Sequence, residues 1–122
     1  MAGWRYAWAF QAAFGLSLAG ITWLSVAPFP GELPASDKEL HVAGYFALGF
    51  LADFAFPARP YLVKAIPLVM YGLVIEAVQS RVPGRFAEGA DLVANLGGLL
   101  LFWICLPILR RVPVLRSRWG GE

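Results

Sequence analysis

Four long stretches of this chain carry almost no charge, and each is closed by proline, glycine or a cluster of charged residues. They fall at about 7–27, 37–56, 61–80 and 91–109. A helix of roughly 20 residues, rising about 1.5 Å per residue, crosses a hydrocarbon core of about 30 Å. In hydrocarbon the backbone must satisfy its own polar groups, which leaves helices as the natural spanning element for such runs. The expected fold is an all-α membrane protein, four transmembrane helices in a compact bundle. Composition points the same way. Hydrophobic residues make up 59% of the 122 and charged residues only 15%, too few to clothe the apolar surface in water. One domain spanning 1–122 is expected, with a basic tail at 110–122.

The first run is broken only by Gln11, Ser17, Thr22 and Ser25. Ser25-Val26-Ala27 resembles a small-x-small cleavage site, but the apolar part is long for a signal peptide and proline would follow the cut. A retained span is expected. Pro28, Pro30, Gly31 and Pro34 form a stiff loop. Ser36 then reads as an N-cap, with Glu39 three residues on completing a capping box. Asp53, near the end of the second run, opposes the helix dipole and is expected to snorkel or to pair with Arg59 or Lys64. Pro67 is expected to kink the third run or to mark a frayed first turn. In the fourth run Ala90, Ala94 and Gly98 form a ridge of small residues that lets another helix approach closely. Cys105 stands alone, so neither an internal disulfide nor a thiolate metal site is available.

Charge is distributed unevenly. With four crossings, Arg5, Arg59, Lys64, Arg110, Arg111, Arg116 and Arg118 share one side, against Lys38, Arg81 and Arg85 on the other. The positive-inside rule then puts both termini in the cytoplasm of an inner (plasma) membrane. The arginine tail suits anionic lipid headgroups. It has no folded module behind it that would bind nucleic acid.

That topology brings distant polar residues together. Asp37, His41 and Tyr45 are four apart and share a helix face. Glu76 and Gln79 close the third run, Asp91 and Asn95 open the fourth, and Arg85 lies in the loop between. Polar groups inside a membrane are costly and are candidates for function by default. A polar pocket in the outer leaflet is expected, lined by Asp37, Lys38, His41, Tyr45, Glu76, Gln79, Arg85, Asp91 and Asn95. Each also has a plainer role. Asp37 and Asp91 suit first helical turns, Lys38 can snorkel, and Gln79 and Asn95 can tie helices together for about 1 kcal/mol or less. Tyr45 should hydrogen-bond Glu76 or Asn95. Glu76 needs an inward partner, for which Arg85, Lys38 or His41 would serve. His41 can change charge near neutral pH.

The ordered set Asp37-Lys38-x-x-His41-x-x-x-Tyr45, Glu76-x-x-Gln79, Pro83-Gly84-Arg85 and Asp91-x-x-x-Asn95-x-x-Gly98 resembles the VanZ-like family of small membrane proteins, named for a teicoplanin-resistance determinant. The match covers roughly the last two thirds of the chain. It departs at Phe86-Ala87-Glu88-Gly89, where many relatives carry Ser or Thr and an aromatic. The resemblance implies a cell-envelope membrane protein and, for the namesake, lowered susceptibility to lipoglycopeptides.

Three functions fit these residues. The first is a lipid-handling site, in which Lys38 and Arg85 grip a phosphate or acidic headgroup of a phospholipid or undecaprenyl-linked wall precursor. The second is an enzyme acting on a headgroup, with His41 as general base oriented by Asp37 and Glu76 as acid. No nucleophile is evident, Ser36 being better explained as a cap, and a non-enzymatic role is favoured. The third is an accessory subunit of a larger membrane complex. No cofactor is expected, and no ligand spacing demands a metal ion.

Overall fold

The computed structural model describes residues 5–26, 37–81 and 89–116, without the side chains of Asp37, Val114 and Arg116. Among these residues the protein is all-helical. Four long helices, α1 (Ala7–Val26), α2 (Asp37–Ala55), α3 (Tyr61–Gln79) and α4 (Gly89–Leu109), are followed by one short turn, α5 (Pro113–Arg116). The boundaries follow local chemistry. α2 ends two residues before Pro57. α3 begins after Pro60, whose extended backbone sets the entry. α5 places Pro113 at its first position, where the missing N–H costs nothing. α4 starts two residues earlier than the apolar pattern suggests, which puts Asp91 in its first turn, against the positive end of the helix dipole. α3 continues through Pro67 and α4 through Pro107. The Ser36 cap and the proline loop lie outside the described residues.

α1, α3 and α4 are each long and apolar enough to cross a membrane. α2 has the length, 19 residues, but its sequence opens with Asp37, Lys38, Glu39 and His41 and carries Asp53. α2 and α3 each pack against all three other long helices, and the packing of α2 is the more extensive, above all against α4. The least apolar helix is thus the one with the most extensive packing. α1 by contrast has no buried residue. Its Trp8 and Leu16 are 72% and 75% exposed, and Ile66, Met70, Trp103 and Ile108 are open on α3 and α4. An apolar surface this extensive requires an apolar surrounding.

Successive helices run in opposite directions, as their end contacts establish. Gln11, early in α1, donates to Ala55 O at the end of α2 (2.9 Å). Asp53, late in α2, meets Lys64, early in α3 (2.6 Å). Gln79, last in α3, donates to Ser25 O at the end of α1 (3.1 Å). Lys38, early in α2, meets Asp91, early in α4 (2.7 Å).

The two ends of this bundle are built differently. Toward the Asp53 end, Phe10, Phe50, Phe54, Phe102 and Tyr61 stack in tilted and edge-on contacts at 4.8–5.8 Å. Phe54 and Phe102 are fully buried. The Asp53 carboxylate is not snorkelled. It is buried with Lys64, whose ammonium also donates to Asp53 O (3.2 Å) and Phe56 O (2.9 Å). Lys64 thus serves as the polar cap of α2 from a neighbouring helix, and the charges are satisfied as burial demands. Across the middle, α4 lies close to α2. A Cβ added at Gly98 would collide with Val42 O and would sit 2.8 Å from Phe46 N, so glycine sets the approach of these two backbones. Toward the opposite end the helices leave a hollow between them.

Candidate functional site

The hollow is a cavity of about 430 Å³ bordered by all four long helices. Its walls are mostly apolar. α1 supplies Ile21 and Leu24, α2 supplies Leu40, Ala43 and Gly44, and α3 supplies Gly72 and Ile75. Space remains because the inward positions are small. A Cβ on Gly44 would meet nothing within 4 Å. Polar groups reach the cavity from each helix: Ser25 from α1, His41 and Tyr45 from α2, Tyr71, Glu76 and Gln79 from α3, and Asn95 from α4. An apolar chamber with a few convergent polar groups is the usual form of a small-ligand site.

Helical periodicity explains the convergence. His41 and Tyr45 lie one turn apart on α2, Glu76 and Gln79 one turn apart on α3, and Asn95 one turn beyond Asp91 on α4. Tyr45 is buried, and its hydroxyl donates to Leu68 O on α3 (2.7 Å). The expected bond to Glu76 or Asn95 is therefore replaced by one to a backbone carbonyl. The reason is Gly72, one turn below Leu68. A Cβ there would sit 2.5 Å from the Tyr45 hydroxyl and 2.8 Å from Asn95 Nδ2, so the glycine leaves the phenol a path to the α3 backbone. Gln79 is also buried and ties α3 to α1 through Ser25 O. Asn95 is 6% exposed, and its Oδ1 has no hydrogen-bond partner among the described residues. Glu76 Oε2 is likewise fully enclosed.

Beside the cavity lies an ionic group centred on Asp91, which is 1% exposed. Lys38 Nζ is 2.7 Å from Oδ1 and His41 Nε2 is 4.0 Å from Oδ2. Two sequence expectations change here. Asp91 is no mere cap, because its charge is buried and met by Lys38. Asp91 is a carboxylate beside His41; the side chain of Asp37, expected to orient it, lies outside the described residues. Lys38 reaches Asp91 and does not line the cavity, so the phosphate-gripping role expected of it loses its geometric basis. Arg85 lies outside the described residues.

Sequence reasoning assigned the pocket to three helices and overlooked α1. The signal was present in Thr22 and Ser25, polar breaks three apart near the end of the first run. Thr22 hydrogen-bonds the Tyr71 hydroxyl, and Ser25 offers its carbonyl to Gln79. Among the described residues no group of three or more acidic, histidine or cysteine side chains is placed to hold a metal ion. Neither family models, nor curated proteins, nor solved structures give a match to this chain.

Proposed function

We propose that this chain is a VanZ-like protein of the bacterial plasma membrane, with four spans and both termini cytoplasmic, whose cavity holds a lipid or a lipid-linked wall precursor. The observation that carries the reading is the cavity itself, large and apolar with polar groups confined to a few positions. That division matches an amphiphile, whose acyl or polyprenyl chain takes the apolar wall while the head meets His41, Tyr45, Glu76, Gln79 and Asn95. The excess of lysine and arginine near one set of helix ends supports the orientation, which opens the cavity to the outer leaflet. Possession of a wall-precursor lipid is the link this reading offers to teicoplanin-type antibiotic susceptibility.

Gly44→Leu is the direct test. Gly44 lines the cavity and a Cβ there meets nothing within 4 Å, so the added side chain should occupy that space. Native mass spectrometry of the wild type should show bound lipid, and the variant should lose it while keeping its unfolding temperature. Equal lipid occupancy in both proteins excludes the cavity as the site.

A second reading draws on His41, with Asp91 4.0 Å behind it. His41 would act as a general base on a headgroup, with Asp91 as its positioning residue. This requires that His41→Gln still retain lipid but abolish headgroup turnover; a membrane lipid profile identical in cells with the wild type, the variant and no protein speaks against it.

A further inference from the structure

One hydrogen-bond donor on the cavity wall has nothing to donate to. Asn95 lines the cavity and is only 6% exposed. Its amide oxygen is sealed inside the protein. Its amide nitrogen faces α3 at Gly72, where a Cβ would stand 2.8 Å from Nδ2. That nitrogen donates to no group among the described residues. Its neighbours are arranged otherwise. The Tyr45 hydroxyl donates to Leu68 O and Gln79 Nε2 to Ser25 O, and both bonds tie helices together. Asn95 ties none, although it is buried as deeply. Native proteins keep few buried polar groups without a partner.

An oxygen acceptor on the ligand would satisfy this donor, and the surroundings narrow which oxygen. Asn95 lies about 9 Å along α4 from its first residue, Gly89. The ionic group of Asp91, Lys38 and His41 sits about one turn nearer that end. Among the described residues the cavity lining includes the Glu76 carboxyl group and neither lysine nor arginine. A phosphate drawn down to Asn95 would exchange its hydration for a neutral amide, and a buried charge so poorly met is costly. An uncharged carbonyl carries no such penalty. In an ester-linked glycerolipid the carbonyls lie on the acyl side of the phosphate. Such a lipid can leave its phosphate level with His41 and still present a carbonyl to Asn95. A polyprenyl phosphate has no oxygen below its phosphate. Resting on the lipid-binding reading above, we propose that the cavity recognises an ester-linked lipid through its acyl carbonyl, which accepts a hydrogen bond from Asn95 Nδ2.

The test uses the full-length protein in detergent, with lipid binding titrated by native mass spectrometry. The probes are ester-linked phosphatidylglycerol, its ether-linked analogue of identical headgroup and chain length, and undecaprenyl phosphate. The ether form keeps the phosphate and loses both carbonyls. The wild type should bind the ester form about tenfold more tightly than the ether form, the scale of one satisfied buried donor. Asn95→Leu should bring the ester form down to the ether form while leaving ether-form binding and thermal unfolding unchanged. Asn95→Asp, which keeps the shape and replaces the donor with an acceptor, should also remove the preference. Undecaprenyl phosphate should bind the wild type and Asn95→Leu alike.

Equal affinity for the ester and ether forms in the wild type overturns the proposal, as does an ester preference that survives in either folded variant. Undecaprenyl phosphate bound more weakly by Asn95→Leu than by the wild type overturns it too, because the acceptor is then a phosphate oxygen. The two levels separate through Gly44→Leu. Lipid binding without ester preference that is lost in Gly44→Leu removes only the carbonyl inference. Binding that Gly44→Leu leaves intact removes the cavity reading as well.

Discussion

Asp91 carries a charge at 1% exposure, so its neighbours decide whether the first turn of α4 can remain where it is. Lys38 answers it at 2.7 Å and His41 stands at 4.0 Å. Removing one member of such a pair leaves the other charge enclosed, and that costs far more than removing both. Lys38→Met should therefore destabilise the protein, by less than the loss of a fully buried partner would because the Lys38 side chain is 37% exposed, read as a lower unfolding temperature in detergent. The double variant Lys38→Met/Asp91→Leu should recover most of the loss. A single variant as stable as the wild type would mean that Asp91 does not depend on Lys38. Asn95 gives the reverse case. Its oxygen has no donor to lose, so replacing it with an apolar residue sacrifices no internal hydrogen bond at that atom.

At the level of the helices, one substitution made at two glycines separates packing from emptiness. Gly98 of α4 lies directly on the α2 backbone, and an added Cβ meets Val42 O and Phe46 N. Backbone atoms cannot step aside as a side chain can, so Gly98→Ala must push α2 and α4 apart, at a cost of about 1–3 kcal/mol. Gly44→Ala on the other side of α2 meets nothing within 4 Å and gains helix propensity, about 1 kcal/mol at most. Thermal unfolding of the two variants should move in opposite directions. Matching destabilisation would show that Gly44 is not beside open space.

Much of this layer was legible in the sequence. The four apolar runs marked the helices to within two residues, because proline and charge clusters leave little freedom over where a helix stops. The ridge of small residues pointed to the close approach at Gly98, and Asp53 found Lys64 among the two partners its position allowed. Hydrogen bonds to the backbone were not legible. Tyr45 reaches Leu68 O and Gln79 reaches Ser25 O, and a carbonyl of a neighbouring helix leaves no mark in side-chain spacing. The start of α4 was obscured because Gly89 and Ala90 have no apolar signature of their own.

Across the whole molecule, the bundle divides into a filled half and a hollow half. Aromatic rings and the Asp53–Lys64 pair close one end, while Gly44 and Ala43 leave space at the other. α2, the least apolar helix, has the most extensive packing and carries polar side chains at both ends, Lys38 and His41 meeting Asp91 of α4 and Asp53 meeting Lys64 of α3. Periodicity and alternating direction predicted that His41, Glu76 and Asn95 would gather at one end. They did not reveal the cavity, which depends on what the side chains between them fail to fill.

The central claim is that this hollow is a lipid site, and an experimentally determined structure of the protein in a native lipid nanodisc tests it most directly. The account predicts elongated non-protein density along Leu24, Leu40 and Ile75, its polar end within hydrogen-bonding distance of Asn95. A cavity closed by collapse of α1 onto α2, or density confined to the outer faces of the helices, would contradict it.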